Sequence, residues 1–167
     1  MLIAVYLAAI VAANLTVAYF GPYFSILNSF LFIGLDITSR DALHERWEGR
    51  HLWLKMALLI LAGSVLSWLL NRSAGRIALA SFVAFAASGS ADTLVYHLLR
   101  HQSKLRRVNG SNVVSAAVDS IVFSSVAFGT LMPDVVAGQF LAKVAGGYVW
   151  ALLLSRLLWG REQVQER

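Results

Sequence analysis

Four ionisable side chains stand inside otherwise apolar stretches of this chain: Asp36, Asp92, Asp119 and Lys143. At the centre of a bilayer each costs a few kcal/mol even on the lenient insertion scale, so each is expected to face a helix-bundle interior, pair or bind a proton. Such residues mark a ligand or proton site before they mark anything else. Asp36 stands four residues before Arg40, where an i,i+4 ion pair is within reach. It therefore reads either as half of a structural pair or as a ligand group.

Asp92 and Asp119 carry the stronger signal. Taking spans at 77–99 and 112–130, each lies about seven residues from the same end of the bundle, at a matching depth of about 10 Å. Ser88, Asp92 and Tyr96 follow at i, i+4 and i+8, and Asn112, Ser115 and Asp119 at i, i+3 and i+7, so each helix offers one polar stripe to a neighbour or a cavity. Hydrogen-bonding glue between membrane helices is worth well under 1 kcal/mol on average, too little to hold two buried carboxylates in place. Lys143 is too deep to snorkel easily and is expected to pair with one of the aspartates. Gln139 shares its face at i,i+4, and Gly146-Gly147 follow. Asn14 and Asn28 are weaker candidates of the same kind.

Other chemistry finds little support. His44, His51, His97 and His101 lie in or beside charged connectors with no metal-ligand spacing. No phosphate loop or Gly-x-Ser-x-Gly setting occurs, and the absence of cysteine excludes thiol chemistry and Cys-ligated metals. Paired aspartates also serve aspartyl intramembrane proteases, but Ser88-Gly89-Ser90-Ala91-Asp92 does not supply the Gly-x-Gly-Asp setting of that class. The reading is of a non-enzyme with no cofactor and no metal.

The elements that must position these residues follow from composition. Of 167 residues 58% are hydrophobic and only 14% charged, and the mean hydropathy is +0.66. An ordinary soluble domain has about 45–50% and about 25%. A span needs about 20 apolar residues, and windows of that size pick out 2–20, 24–40, 51–70, 77–99, 112–130 and 134–158. The whole chain, 1–167, thus reads as a single all-α, six-helix transmembrane domain. Six helices invite a division into two three-helix halves of opposite orientation, in which Asp36 and Asp119 would be the one matched pair. Gly21-Pro22-Tyr23 and Met132-Pro133-Asp134 make tight turns. With a cytoplasmic amino terminus, connectors 40–50 and 100–111 and the tail hold ten Lys or Arg on the cytoplasmic side, against Arg72 and Arg76 outside. The positive-inside rule therefore puts both termini in the cytoplasm of a cell (inner) membrane. The net charge of +5 is then topological, with lipid headgroups and not nucleic acid as its counterpart. Trp47, Trp53, Trp68, Trp150 and Trp159 fall near helix ends as interfacial anchors. The opening run lacks a positive n-region and is expected to be the first span, not a signal peptide.

Three segments resemble the vitamin uptake transporter-like family of six-helix proteins, whose best-known members carry queuosine precursors. Val83 to Arg100 resembles that family's fourth-helix segment, with Asp92 followed by Tyr96, His97 and Arg100. Asn112 to Phe123, through Ala127-Phe128-Gly129, resembles the fifth, and Leu35-Asp36-Ile37 followed by Glu45-Arg46-Trp47-Glu48-Gly49 the second. The resemblance implies a membrane importer of a deazaguanine base such as preQ0, preQ1 or queuine, working alone or as a homodimer. A carboxylate, Asp92 or Asp119, would accept the parallel N–H groups of such a base. Phe85, Tyr96 or Phe123 would stack on the ring, and Asn112, Gln139 or Lys143 would reach its carbonyl or seven-substituent. Ser88, Ser115, Asn14 and Asp36 complete the candidate set. The aspartates could relay protons, or the carrier could be a facilitator. The competing reading is the substrate-binding S-component of an energy-coupling-factor (ECF) vitamin transporter, in which Ala8-x-x-x-Ala12 would meet a scaffold that carries ATPases. A membrane scaffold with no ligand is a third.

Overall fold

The computed structural model describes residues 2–32 and 52–165. Asp36, Arg40, His44, Trp47 and His51, and with them the Asp36–Arg40 pair, the second-helix motif and the second connector, lie outside the described residues. The described residues form six α-helical segments, one short 3-10 helix at Arg72–Ala74 and no strand: α1 Leu2–Phe20, α2 24–32, α3 Leu52–Leu70, α4 Gly75–Leu98, α5 Lys104–Phe128 and α6 Pro133–Gln165. Both prolines stay out of helix interiors. Pro22 lies in the first turn, and Pro133 opens α6, where a missing N–H costs nothing.

Two boundaries differ from the hydropathy windows. α5 begins at Lys104 and not near 112, so the fourth connector is short and Lys104, Arg106 and Arg107 belong to the helix. Lys, Leu and Arg are strong helix formers, and hydropathy is blind to helix that projects beyond the apolar layer. For the same reason α6 runs to Gln165 and not to 158.

The first, third and fifth connectors are tied together at one end of the bundle. Gly21 leaves α1 at φ +86°, its N–H donating to Val17 O at 2.9 Å, and Gly129 ends α5 at φ +75°, donating to Ser125 O at 3.0 Å. Both use the left-handed conformation that glycine adopts without a Cβ penalty. Tyr23 donates to Asp134 Oδ2 at 2.6 Å, joining the first turn to the head of α6. That bond raises the Tyr23 hydroxyl above its usual pKa, and the same hydroxyl lowers the Asp134 carboxyl. Arg76 donates from Nε to Val126 O at 3.0 Å, satisfying a carbonyl of the last turn of α5, and Arg72 lies 4.0 Å over the Trp68 ring. A β-carbon on Gly129 would stand 2.4 Å from the Arg76 guanidinium. Gly129→Val is therefore expected to destabilise the protein by about 1–3 kcal/mol, read as a fall in melting temperature in detergent, whereas Thr130→Val should not.

Packing runs from α1 to α3, α3 to α4, α4 to α5 and α5 to α6, with the α4/α5 contact the most extensive. Tyr6, Met56, Leu59 and Ile60 form one apolar cluster, and Val17, Ile77, Ala80 and Ala127 another nearer the tied end. Leu54, Leu58, Leu61, Val65 and Leu69 form a continuous exposed stripe on α3. The segments Arg72–Leu98 and Asn109–Phe128 are long and apolar enough to cross a bilayer, yet only 28% and 22% of their most apolar windows is buried. In water such a surface would be an aggregation liability; against lipid it is what a small bundle must present.

Candidate functional site

A cavity of about 190 Å³ opens among α1, α2, α4, α5 and α6. Its wall comprises Asn14 and Val17 from α1, Ser25, Asn28 and Ser29 from α2, Ser81 and Ala84 from α4, Asp119 and Phe123 from α5, and Gln139 and Lys143 from α6. Asn14, Ser81 and Gln139 each lie six residues from the tied end of their helices, about 9 Å along the axis. The cavity is thus nearer that end than the opposite one.

Lys143 and Asp119 dominate its electrostatics. The Lys143 ammonium stands 2.6 Å from Asp119 Oδ2, with 13% of the lysine and 30% of the aspartate side chain exposed. It also donates to Ser120 Oγ at 3.0 Å, and the Ser120 hydroxyl gives its own hydrogen to Ala116 O. Two of the three ammonium hydrogens are used in this way. Asp119 Oδ1 has a single long contact, Ser88 Oγ at 3.5 Å, beyond good hydrogen-bonding distance.

Gln139 is 1% exposed and bridges three helices, donating from Nε2 to Ser25 Oγ at 2.6 Å and to Ser124 Oγ at 3.4 Å. The Ser25 hydroxyl gives its hydrogen to Pro22 O. It can therefore only accept from Gln139, which fixes the amide with its nitrogen toward Ser25. Among the described residues Gln139 Oε1 is left buried with no hydrogen-bond partner, a state that costs about 1–3 kcal/mol. Asn14 is committed to the fold: Nδ2 donates to Ser67 Oγ at 3.1 Å and Oδ1 accepts from Ser81 Oγ at 2.7 Å, tying α1 to α3 and α4. Asn28 donates from Nδ2 to Ala13 O and Thr16 Oγ1, holding α2 to α1.

Of the residues singled out from sequence, Asn14, Asn28, Asp119, Phe123, Gln139 and Lys143 meet at this cavity. Ser88 and Ser115 lie behind it, with Ser115 donating to Ser88 O at 3.2 Å. Asp92, Tyr96 and Asn112 do not line it, and Asn112 is exposed. The expected equal depth of Asp92 and Asp119 is corrected as well. Asp119 is level with Ser88, so Asp92 lies one turn further on, about 6 Å away along α4. The cause is the early start of α5, which puts Asp119 fifteen residues, about 22 Å, from Lys104. Asp92 Oδ1 is buried without a hydrogen-bond partner among the described residues. Asp92→Asn is accordingly expected to leave ligand affinity within about twofold and stability unchanged or higher, measured by titration and thermal melting.

Ser25, Ser29 and Ser81 were not among the sequence candidates. Ser25, Asn28 and Ser29 fall at i, i+3 and i+4 on α2, a polar face that spacing alone could have shown. Ser81 has no such signal. His97 and His101 are exposed, and no cluster of metal-ligating residues occurs among the described residues.

The family model described as "Putative vitamin uptake transporter" matches residues 2–158. No curated protein and no solved structure matches the chain.

Proposed function

This chain belongs to the vitamin uptake transporter family, and on that premise we propose that it imports a small planar base, a deazaguanine precursor of queuosine such as preQ0, preQ1 or queuine, across the cell membrane. The observation that carries this reading is the Asp119–Lys143 pair on the wall of a polar cavity. A cavity of about 150 Å³ takes benzene and drug-sized ligands need about 300–1,000 Å³, so about 190 Å³ suits a compact ring system better than a vitamin with a long tail. Asp119 Oδ1 and Gln139 Oε1 would accept N–H groups of the base, the remaining Lys143 hydrogen would reach its carbonyl, and Phe123 would lie against the ring.

In this reading the chain is a single six-helix membrane domain with both termini cytoplasmic. The tied end, and the cavity near it, then face outward, so the arrangement corresponds to a carrier ready to receive its cargo. Asp92, a turn deeper on α4, would meet the base only after the cavity reopens toward the cytoplasm.

The test is uptake of a labelled deazaguanine into liposomes containing the purified chain alone. Saturable uptake supports the proposal. Uptake that requires an added scaffold and ATPases would instead support the energy-coupling-factor S-component, and the absence of saturable uptake in either setting contradicts both.

A further inference from the structure

Five helices ring the cavity in the order α1, α2, α6, α5 and α4. Three of the neighbouring pairs, α1 with α2, α5 with α6 and α4 with α5, follow one another in the chain. The seams between α1 and α4 and between α2 and α6 are closed by side chains alone, and in different ways. In the first, Val17, Ile77 and Ala80 pack together beside the Asn14–Ser81 bond. In the second, three contacts lie near the tied end. The Tyr23–Asp134 bond is exposed to water, Gln139 donates to Ser25, and Ile26 meets Gly138, where an added β-carbon would stand 2.5 Å from Ile26 Cδ1. Hydrogen bonds that water can replace hold two helices less firmly than a packed apolar core does. Further along α2, Trp150 Nε1 donates to Phe30 O at 3.1 Å.

Two features of the α2/α6 seam suit it to motion. Gln139 belongs to the cavity wall yet is almost wholly buried, its Oε1 unpartnered among the described residues. A ligand reaches that oxygen only when a neighbour gives way. The Gln139 amide touches Ser124 in the extensively packed α5 and Ser25 in α2, which is the looser of the two. Gly21, at the head of α2, turns the chain with no atom within 4 Å of where its β-carbon would stand, so this turn can bend without displacing a neighbour. We propose that the α2/α6 seam is the gate of the cavity: α2 swings on the Gly21-Pro22 turn, with the Trp150–Phe30 bond as its pivot, and parts from α6 at Tyr23, Ser25 and Ile26 to admit cargo. The motion does not depend on which cargo is carried, and only the uptake arm of its test rests on the base reading.

A disulfide can lock the seam. The chain has no cysteine, so Ile26→Cys/Gly138→Cys carries the only two thiols. Ile26 Cγ1, the position a cysteine sulfur takes, is 3.0 Å from the added β-carbon of residue 138, close to the ~3 Å between a disulfide sulfur and its partner's β-carbon. In liposomes the oxidised full-length protein is expected to take up 7-cyano-7-deazaguanine at least about tenfold more slowly than the same protein reduced, while the oxidant leaves wild type unchanged. The motion is read without any cargo from spin labels at the exposed positions Leu27→Cys on α2 and Leu141→Cys on α6, which should give two inter-label distances. Labels at Tyr19→Cys on α1 and Leu79→Cys on α4 should give one. Equal uptake by the cross-linked and reduced protein, or a single distance across both seams, overturns the gate and leaves the base reading standing. Two distances across the α2/α6 seam with no uptake by wild type would keep the gate and remove the base.

Discussion

Asp119→Asn is expected to weaken binding of 7-cyano-7-deazaguanine by at least about tenfold and to lower the melting temperature at the same time. The first effect follows from removing the charged acceptor at the cavity wall. The second follows from leaving the Lys143 ammonium, 13% exposed, without its counter-ion. Breaking a fully buried pair costs about 3–5 kcal/mol, and partial exposure of Asp119 brings the expected loss to about 1–3 kcal/mol. The double variant Asp119→Asn/Lys143→Gln separates the two effects. It removes both charges, so stability should return most of the way to wild type while binding stays lost. A purely structural pair would give the opposite record, with Asp119→Asn unstable but the surviving folded protein binding at wild-type affinity.

Gln139→Leu should dissociate function from stability still more cleanly. Leucine has similar bulk but no polar atoms. The substitution removes the hydrogen bond to Ser25, worth about 1 kcal/mol, and the long one to Ser124 at 3.4 Å, and with them a buried Oε1 whose missing partner costs about 1–3 kcal/mol. Ser25 keeps its bond to Pro22 O. The melting temperature should thus stay level or rise, while affinity falls about tenfold or more because, on the proposed function, the ligand loses an acceptor that no described residue uses. Such a trade of stability against function is common where a buried polar group serves a ligand. A fall in melting temperature with affinity intact would show that Gln139 only cross-links α2, α5 and α6.

Lys143 illustrates what the amino-acid sequence carries. Its depth in an apolar run demanded an acidic partner, and the i,i+4 relation to Gln139 put both on one face; the structure joins Lys143 to Asp119 and lines one cavity with all three residues. The choice between Asp92 and Asp119 was not legible, because depth was measured from a hydropathy boundary and residues 104–111 are helical without being apolar. Asn112 shares a stripe with Asp119 by spacing, yet only Asp119 faces the cavity. Ser81 shows a different limit. Ser90 and Thr93 return their hydroxyls to carbonyls four residues earlier in α4, whereas Ser81 donates across to Asn14. In sequence these hydroxyls look alike, and only the packing of α1 on α4 separates them.

The central claim, that the cavity bounded by Asp119, Lys143 and Gln139 is where the base binds, is most directly tested by cysteine protection. The chain has no cysteine of its own, so Ser29→Cys on the cavity wall and Gln102→Cys in the exposed fourth connector each place one thiol without background. Saturating 7-cyano-7-deazaguanine is expected to slow labelling of Ser29→Cys by a small thiol reagent about tenfold or more, leaving Gln102→Cys unchanged, and the protection should vanish when Asp119→Asn is added. Labelling of Ser29→Cys at the same rate with and without the base would contradict the account.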